Sequence, residues 1–396
     1  MADETNLVRL TVDGADYGGW KSVRIEAGIE RQARSFDLEI TDRWPGSNAL
    51  ARRVKPGAAC QVWVGADLVM TGYVDATPIQ ADGRGIKLNV KGRSKTADLV
   101  DCSPVDTPTA SGAGGGGRWG DVIGPDGKKQ NIVVAVAPAA QYRGMKLEAV
   151  AAALAAPYGI RVIADTETGE PIRDHSVQQG ETVFESIDRM MRLRHVLSTD
   201  NERGDLVFID PGSAGRCGTA LVMGENVLSA SAEFDYKAVF SEYICKGQRP
   251  GDEASDDDEA VTTFSESASS VTDTVLNRRR VRVFKQAGTA DEGTCADRVD
   301  YERAHRAAKA IEAKYSVQGW RQADGSLWLP NWIVRVRDPI LGLDADMVIA
   351  EVAWSLSSSG MVTEIRVGPP DGYRTKAAKG KKVKAGKGGG AWGDVK

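Results

Sequence analysis

The chain has 396 residues, a net charge of −4 and 41% hydrophobic residues. That length points to two or three domains with ordinary cores, and that charge argues against a generally basic nucleic-acid-binding surface. Five scattered cysteines, at positions 60, 102, 217, 245 and 295, form no CxxC pair or Cys/His cluster, so no disulfide framework is expected. Met1–Asn6 lacks the parts of a secretory leader, and the apolar stretch Leu147–Ala156 is too short to span a bilayer, so a soluble chain without a secretion signal is expected.

Residues 1–102 alternate with a period of two. Phe36, Leu38 and Ile40 point one way, while Ser35, Asp37, Glu39 and Thr41 point the other; Ile86, Leu88 and Val90 repeat the pattern. Turn residues such as Lys55-Pro-Gly57 separate the runs, so a small antiparallel barrel or sandwich is expected. Residues 103–144 form a glycine-rich loop, Ser111–Gly117 and Gly124-Pro-Asp-Gly127, with a linking strand at Ile132–Val136.

Residues 145–215 read as a small α/β domain. Met145–Ala156 is helical and stopped by Pro157 and Gly159, and Ile160–Ile163 is a strand. Thr182 and Glu185 make a capping box ahead of a helical stripe of Val183, Ile187, Met190, Met191 and Leu193. Val196–Thr199 and Leu206–Ile209 flank a turn and read as a hairpin.

Residues 216–372 resume the β pattern, with strands at Ala238–Gly247, Arg280–Phe284, Trp332–Arg337, Met347–Leu356 and Thr363–Val367. An acidic loop at 250–274 and a helix at Arg303–Tyr315 interrupt it, the helix carrying a face of Ala304, Ala307, Ala308, Ile311 and Tyr315. Residues 373–396 are a basic Gly/Lys tail. The order strand, turn, strand, strand occurs at Val62–Val64, Val69–Asp75 and Ile86–Val90, and again at Val334–Val336, Met347–Val352 and Thr363–Val367. A repeat of the fold and chance similarity are both open at this point.

The chain resembles the baseplate hub proteins of Mu-like contractile-tailed phages. The likeness is carried by Gly19-Trp-Lys-Ser-Val23, Phe36–Thr41, Thr71-Gly-Tyr-Val-Asp75, Gly92-Arg-Ser with Asp98-Leu-Val-Asp101, Gly180–Arg189, Val196–Asp200, Gly224–Leu228, Ser241–Tyr243, Gly319-Trp-Arg321, Asp324–Trp328 and Pro330-Asn331, in order over residues 7–370. The resemblance implies a mainly β fold with α/β insertions. Two tube-like antiparallel β-barrels and the small α/β domain would assemble as a homotrimeric ring. Such a ring joins the sixfold tail tube to the threefold central spike and surrounds the DNA exit channel, without sequence-specific DNA binding. Implied partners are the spike, the tube or a distal tube-adaptor protein, the tape measure protein and other baseplate proteins. The implied place is the tail baseplate of a virion assembled in the host cytoplasm.

No catalytic, cofactor or metal site is expected. His175, His195 and His305 lack partners for acid–base work. Gly112–Gly117 lacks the Lys-Ser/Thr ending of a phosphate loop, and the acidic run 252–259 lacks a calcium-loop pattern. Glu181 and Glu185 would have to flank a cleft to act on a glycan, and Glu185 is already assigned to the cap. Because Val177–Ile187 is similar to a peptidoglycan-binding LysM opening, a peptidoglycan-binding or cell-wall-hydrolysing tail component is the alternative. Gly115–Val122 and Gly389–Val395 both end in Trp-Gly-Asp-Val, which marks Trp119 and Trp392 as candidate interface anchors.

Overall fold

The computed structural model describes residues 4–42, 54–82, 85–105, 122–123, 129–130, 133, 138–194, 196–249, 265–273, 276–289 and 292–373. The chain divides into two compact units, residues 1–230, 314–339 and 343–367, and residues 231–313, 340–342 and 368–396.

The N-terminal alternation produces β1 (Val8–Val12), β2 (Ala15–Tyr17), β3 (Ser22–Gly28), β4 (Ser35–Asp42), β5 (Ala59–Val64), β6 (Asp67–Ala76), β7 (Ile79–Asp82) and β8 (Gly85–Ser94), then the short α1 (Ala97–Asp101). Val8, Leu10 and Val12 are buried while Arg9 is exposed; Phe36 and Leu38 are buried, as are Leu88 and Val90. Period-two patterning thus sets which face becomes core. Two glycines let β6 and β8 approach closely. A Cβ on Gly72 would overlap the carbonyl oxygen of Arg93, and one on Gly92 would stand 2.6 Å from the Phe36 ring. These are Gly72 of Thr71–Asp75 and Gly92 of Gly92-Arg-Ser, so close backbone packing accounts for both motif glycines.

After the short ladder of β9 (Val122–Ile123) and β10 (Lys129–Gln130) comes the α/β domain. It contains β11 (Gln141–Met145), α2 (Leu147–Ala155), β12 (Val162–Ala164), β13 (Ile172–Ser176), α3 (Val183–Arg194), β14 (Leu197–Asp200) and β15 (Leu206–Ile209). β12 runs parallel to β15, β14 antiparallel to it, and β11 pairs with β13. Leu147, Val150 and Leu154 of α2 pack with Val183, Ile187 and Met190 of α3 and with Leu206 and Phe208. The capping box forms: Thr182 N–H donates to Glu185 Oε2 at 2.8 Å, and Glu185 N–H donates to Thr182 Oγ1 at 3.2 Å. Four members of the helical stripe are buried, but Leu193 is 73% exposed. It stands at the end of α3, past the last turn that the domain covers. The strand expected at Ile132–Val136 lies outside the described residues except for Val133, whose N–H donates to the Val162 carbonyl at 3.0 Å.

Then follow β16 (Gly215–Arg216), β17 (Leu221–Val222) and β18 (Val227–Phe234). The second unit contains β19 (Glu242–Arg249), β20 (Ser265–Thr272), β21 (Val281–Thr289) and α4 (Glu292–Lys309). β19 lies between antiparallel β20 and parallel β21. Tyr243 and Cys245 of β19 bury against Cys295 and Val299 of α4. The chain closes with β22 (Ile311–Gln318), β23 (Trp332–Asp338), β24 (Leu343–Ser357) and β25 (Gly360–Gly368).

Two sequence expectations are corrected here. The segment 250–274 is not all loop: Ser265–Thr272 is strand β20, bonded to β19 along its length, and the acidic run itself lies outside the described residues. The helix expected at Arg303–Tyr315 is instead the end of α4, which stops at Lys309, followed by β22. Arg298 and Arg306 each bond Glu302 one turn away, at 2.6 and 2.9 Å, and support α4. Past it, Ala313, Tyr315 and Val317 are buried in alternation, a period of two that the alanine spacing upstream obscured.

The large sheet runs β18-β22-β25-β24-β3-β4-β8-β6-β5-β1-β2, with β23 on β24 and β16 and β17 on β23. Within it one pattern occurs twice. In the first half the spatial order is β3-β4-β8-β6-β5; in the second it is β18-β22-β25-β24-β23, and chain order matches position by position. The halves differ in two respects. β1 pairs antiparallel with β5, whereas β16 and β17 run parallel to β23. Residues 235–310 are inserted where the first half has only the short connection 29–34.

Candidate assembly surface

The two halves meet at a seam between β24 and β3. β24 is long enough to serve two neighbours on one side. Leu343–Val348 pairs with β23, and Glu351–Leu356 pairs antiparallel with Gly28–Val23. Ile29 N–H continues the ladder to the Ala350 carbonyl at 2.8 Å. Side chains alternate across the seam, and on the apolar face Val352 lies opposite Ala27 and Trp354 opposite Ile25, all buried.

The other face is a charge network. Arg24 Nε is 2.7 Å from Glu26; Arg31 reaches Glu26 at 2.6 Å and Glu351 at 2.8 Å; Arg366 reaches Glu30 at 2.9 Å and Glu351 at 3.1 Å. Lys314 meets Glu364 at 2.9 Å. Burial works to raise the Glu26 carboxyl, but the bonds from Arg24 and Arg31 outweigh it and hold the group below its ordinary value. The network links β3, β22, β24 and β25 in register, whereas the apolar face supplies most of the adhesion.

The α/β domain is anchored to the first half by buried polar contacts. Arg34 Nε lies 3.3 Å from Asp200 Oδ1, Arg34 N–H donates to Asp200 Oδ2 at 3.0 Å, and its Nη1 donates to the Val69 carbonyl at 2.7 Å. Thr199 Oγ1 donates to the Gly28 carbonyl at 2.9 Å, and Ser198 Oγ to Gln32 at 2.9 Å. Sequence reasoning missed the seam and this anchor, because each joins residues with no local signature of their partnership.

In the second unit, Phe240 and Phe284 are ringed by arginines. Arg280 stands 4.9 Å and Arg306 5.8 Å from the Phe240 ring, and Arg306 and Arg282 stand 5.6 and 5.8 Å from Phe284. Arg280 is held by the carbonyls of Tyr236 and Lys237.

The residues weighed for chemistry are engaged elsewhere. His175 is buried on β13, with Nε2 2.9 Å from Ser186 Oγ; burial first, then Arg189, pulls its pKa below the ordinary value. His305 stacks on Tyr301 and meets the Asp371 carbonyl at 3.2 Å, and His195 lies outside the described residues. Glu181 accepts from Gln178 N–H and from Arg189, while Glu185 caps α3. Among the described residues, no His, Cys, Asp and Glu are grouped so as to hold a metal ion. Gly112–Gly117, the acidic run 252–259, Trp119 and Trp392 lie outside the described residues.

A sheet that passes from one module into an equivalent module, stiffened by charge on one face and sealed by apolar side chains on the other, is built as a scaffold, and the proteins that this chain is similar to are phage-tail components. Residues 7–94 match the N-terminal domain of Mu phage baseplate assembly protein GpP-like proteins, residues 133–210 the second domain of baseplate hub protein gp44-like proteins, and residues 291–376 the fourth domain of Mu phage baseplate assembly protein GpP. The baseplate hub protein gp44 of Escherichia phage Mu is 29% identical over 374 residues, covering 93% of this chain and 89% of that protein. The 43 kDa tail protein of prophage MuSo2 from Shewanella oneidensis is 30% identical, with a TM-score of 0.73 over 93% of this chain and 99% of its own. A tail protein from Neisseria meningitidis MC58 shares the fold, with 20% identity and a TM-score of 0.68 over 93% and 98% of the two chains. The chain belongs to the family of Mu-like phage baseplate hub proteins. It is a hub component of a phage tail baseplate and works among other baseplate proteins.

Proposed function

We propose that the chain is a non-enzymatic hub which, as a homotrimer, joins the sixfold tail tube to the threefold central spike and surrounds the channel through which DNA leaves. The observation that carries this reading is the repeated strand order, β3-β4-β8-β6-β5 and β18-β22-β25-β24-β23. A chain with two equivalent β modules presents six modules when three copies close into a ring, so one assembly meets a sixfold surface and a threefold one. In this reading the modules act as tube-like barrels, residues 145–215 form a supporting α/β domain, and 373–396 form a basic tail. Trp119 and Trp392 serve as anchors on equivalent grooves. The other partners are the tape measure protein and the tube or a tube-adaptor protein, and assembly takes place in the host cytoplasm before the virion is complete.

Native mass measurement of the full chain, alone and with the spike protein, tests the reading. Three copies per particle and retention of the spike are expected; a monomer at all concentrations would sink it. Deletion of residues 374–396 should weaken trimer or spike attachment, and unchanged assembly would remove the tail and Trp392 from the reading. A peptidoglycan pull-down and a turbidity assay with purified cell wall should both be negative.

A further inference from the structure

The inserted second unit carries a strand edge of its own. Among the described residues β21 pairs with β19 alone, so its other side is open. The two faces of β21 differ. Tyr243 and Cys245 of β19 turn toward α4, and their register partners on β21 are Arg282 and Phe284. The pairs between them, Glu242 with Val281 and Ile244 with Val283, face the other way, and there Val281 is 36% and Val283 53% exposed. Along its open edge β21 therefore alternates, with a cation and a ring on one face and valines on the other.

The cationic face is arranged for an anion. Arg280 is engaged by the carbonyls of Tyr236 and Lys237, and Arg306 by Glu302. Arg282 stands between them, 5.9 Å from the Phe240 ring and 5.8 Å from the Phe284 ring. It is exposed and makes no ion pair among the described residues. A guanidinium laid on a ring is held still while its edge donors stay free for a bidentate carboxylate. The phenyl faces are already covered by guanidiniums, which leaves little ring surface on which nucleobases could stack and favours an acidic peptide over a nucleic-acid strand. An open edge with exposed apolar side chains is a template for another strand, and alternate side chains decide which strand it takes.

We infer that the open edge of β21 at Val281–Lys285 receives an extended segment of another baseplate protein in which acidic and apolar residues alternate. The carboxylates of that segment face Arg282, flanked by Arg280 and Arg306, and its apolar side chains lie beside Val281 and Val283. Main-chain hydrogen bonds to β21 supply adhesion, and the two unlike faces set the register, because a slip by one residue would put carboxylates on the valines. This docking site rests on the chain's place among other baseplate proteins and does not depend on how many copies of the chain assemble.

The test follows fluorescence anisotropy of short labelled peptides titrated with the full-length chain. A peptide of alternating glutamate and valine is expected to bind, and its block isomer, with all glutamates first, to bind about tenfold more weakly. Two forms of the alternating peptide, N-methylated on odd or on even residues, should differ, only one losing affinity, because a strand turns alternate backbone groups to its neighbour. Arg282→Glu and Val283→Ser should each weaken binding, the first by about tenfold or more, with circular dichroism and melting temperature unchanged. Equal binding of the alternating and block peptides, or of both N-methylated forms, would overturn the strand pairing. So would tighter binding of a single-stranded oligonucleotide, or of a peptide copied from Asp252–Glu259, this chain's own acidic run. Native mass measurement decides the hub reading separately. A trimer that keeps the spike but binds no peptide removes the β21 site and leaves the hub standing, whereas a monomer that binds the peptide does the reverse.

Discussion

The guanidinium of Arg34, from the β3–β4 connection, lies against the carboxylate of Asp200 at the end of β14, with the two side chains 8% and 1% exposed. Burial pushes the Asp200 carboxyl up, and Arg34 together with Ser94 works against that rise. Because neither charge can reach water, removing one strands the other. Asp200→Asn or Arg34→Ala should each destabilise the protein by about 3–5 kcal/mol in denaturant unfolding. The double change Arg34→Met with Asp200→Leu should recover most of that loss. A pair of single variants each costing under about 1 kcal/mol would show that the anchor lies elsewhere.

Trp354 faces Ile25 across the seam, and both are fully buried. Trp354→Ala should cost about 3–5 kcal/mol. Combined with Ile25→Val it should depart from additivity, because the two side chains share one cavity. Chemical denaturation of the four proteins in a double-mutant cycle checks the coupling.

The charged face of the same seam predicts an acid limb. The folded Glu26 carboxyl titrates below its ordinary value of 4.5, so its contribution is fully present above that value and drains away as pH falls through the lower folded one. Stability should therefore fall below about pH 4.5, and Glu26→Gln should flatten that part of the curve. Melting temperatures taken from pH 6 to pH 3 would expose a curve of unchanged slope.

The thiols should be inert in the native state. Burial, then Asp75, pushes Cys60 up to about 12; burial, then Asp324, does the same for Cys217; burial, then Cys295, lifts Cys245 to about 11. Cys102 is raised as well, by burial first. At pH 8 the thiolate fraction of a group near 12 is roughly one in ten thousand, against about a quarter for an ordinary cysteine. A colorimetric thiol reagent should label at most one of the five cysteines rapidly before denaturation and all five afterwards. Rapid native labelling of several would contradict the burial.

Close packing at Gly72 predicts the most damaging small change. Gly72→Ala forces β6 away from the Arg93 carbonyl, with no flexible side chain able to give way. The variant should be several kcal/mol less stable or insoluble, while Gly14→Ala, with open space around its Cβ but a φ of +77°, should lose only about 1 kcal/mol. Soluble yield and melting temperature separate the two.

Local signals were legible in the chain. The alternation at Phe36–Thr41 marks β4, the turns mark the strand ends, and Thr182 with Glu185 marks the start of α3. The recurrence of strand, turn, strand, strand at Val62–Val90 and Val334–Val367 left a repeat open, and it is the spatial strand order of the sheet that shows one pattern twice. Legibility failed where two periods run together, as at Ala304–Tyr315, where alanines of α4 lead directly into β22. It failed again at Ser265–Thr272, whose small polar residues carry little strand propensity and pair because β19 lies beside them.

What the amino-acid sequence determined by itself is most of the strands of the first module and the capped helix, since each depends on neighbours a few residues apart. Tertiary structure alone decided that β24 outruns β23 to seize β3, that Arg34 finds Asp200, and that residues 235–310 interrupt one module and not the other. Those choices depend on which backbone edges and buried charges meet across hundreds of residues. An unpaired strand edge accepts any strand of suitable register, so its partner is chosen by the three-dimensional course of the chain.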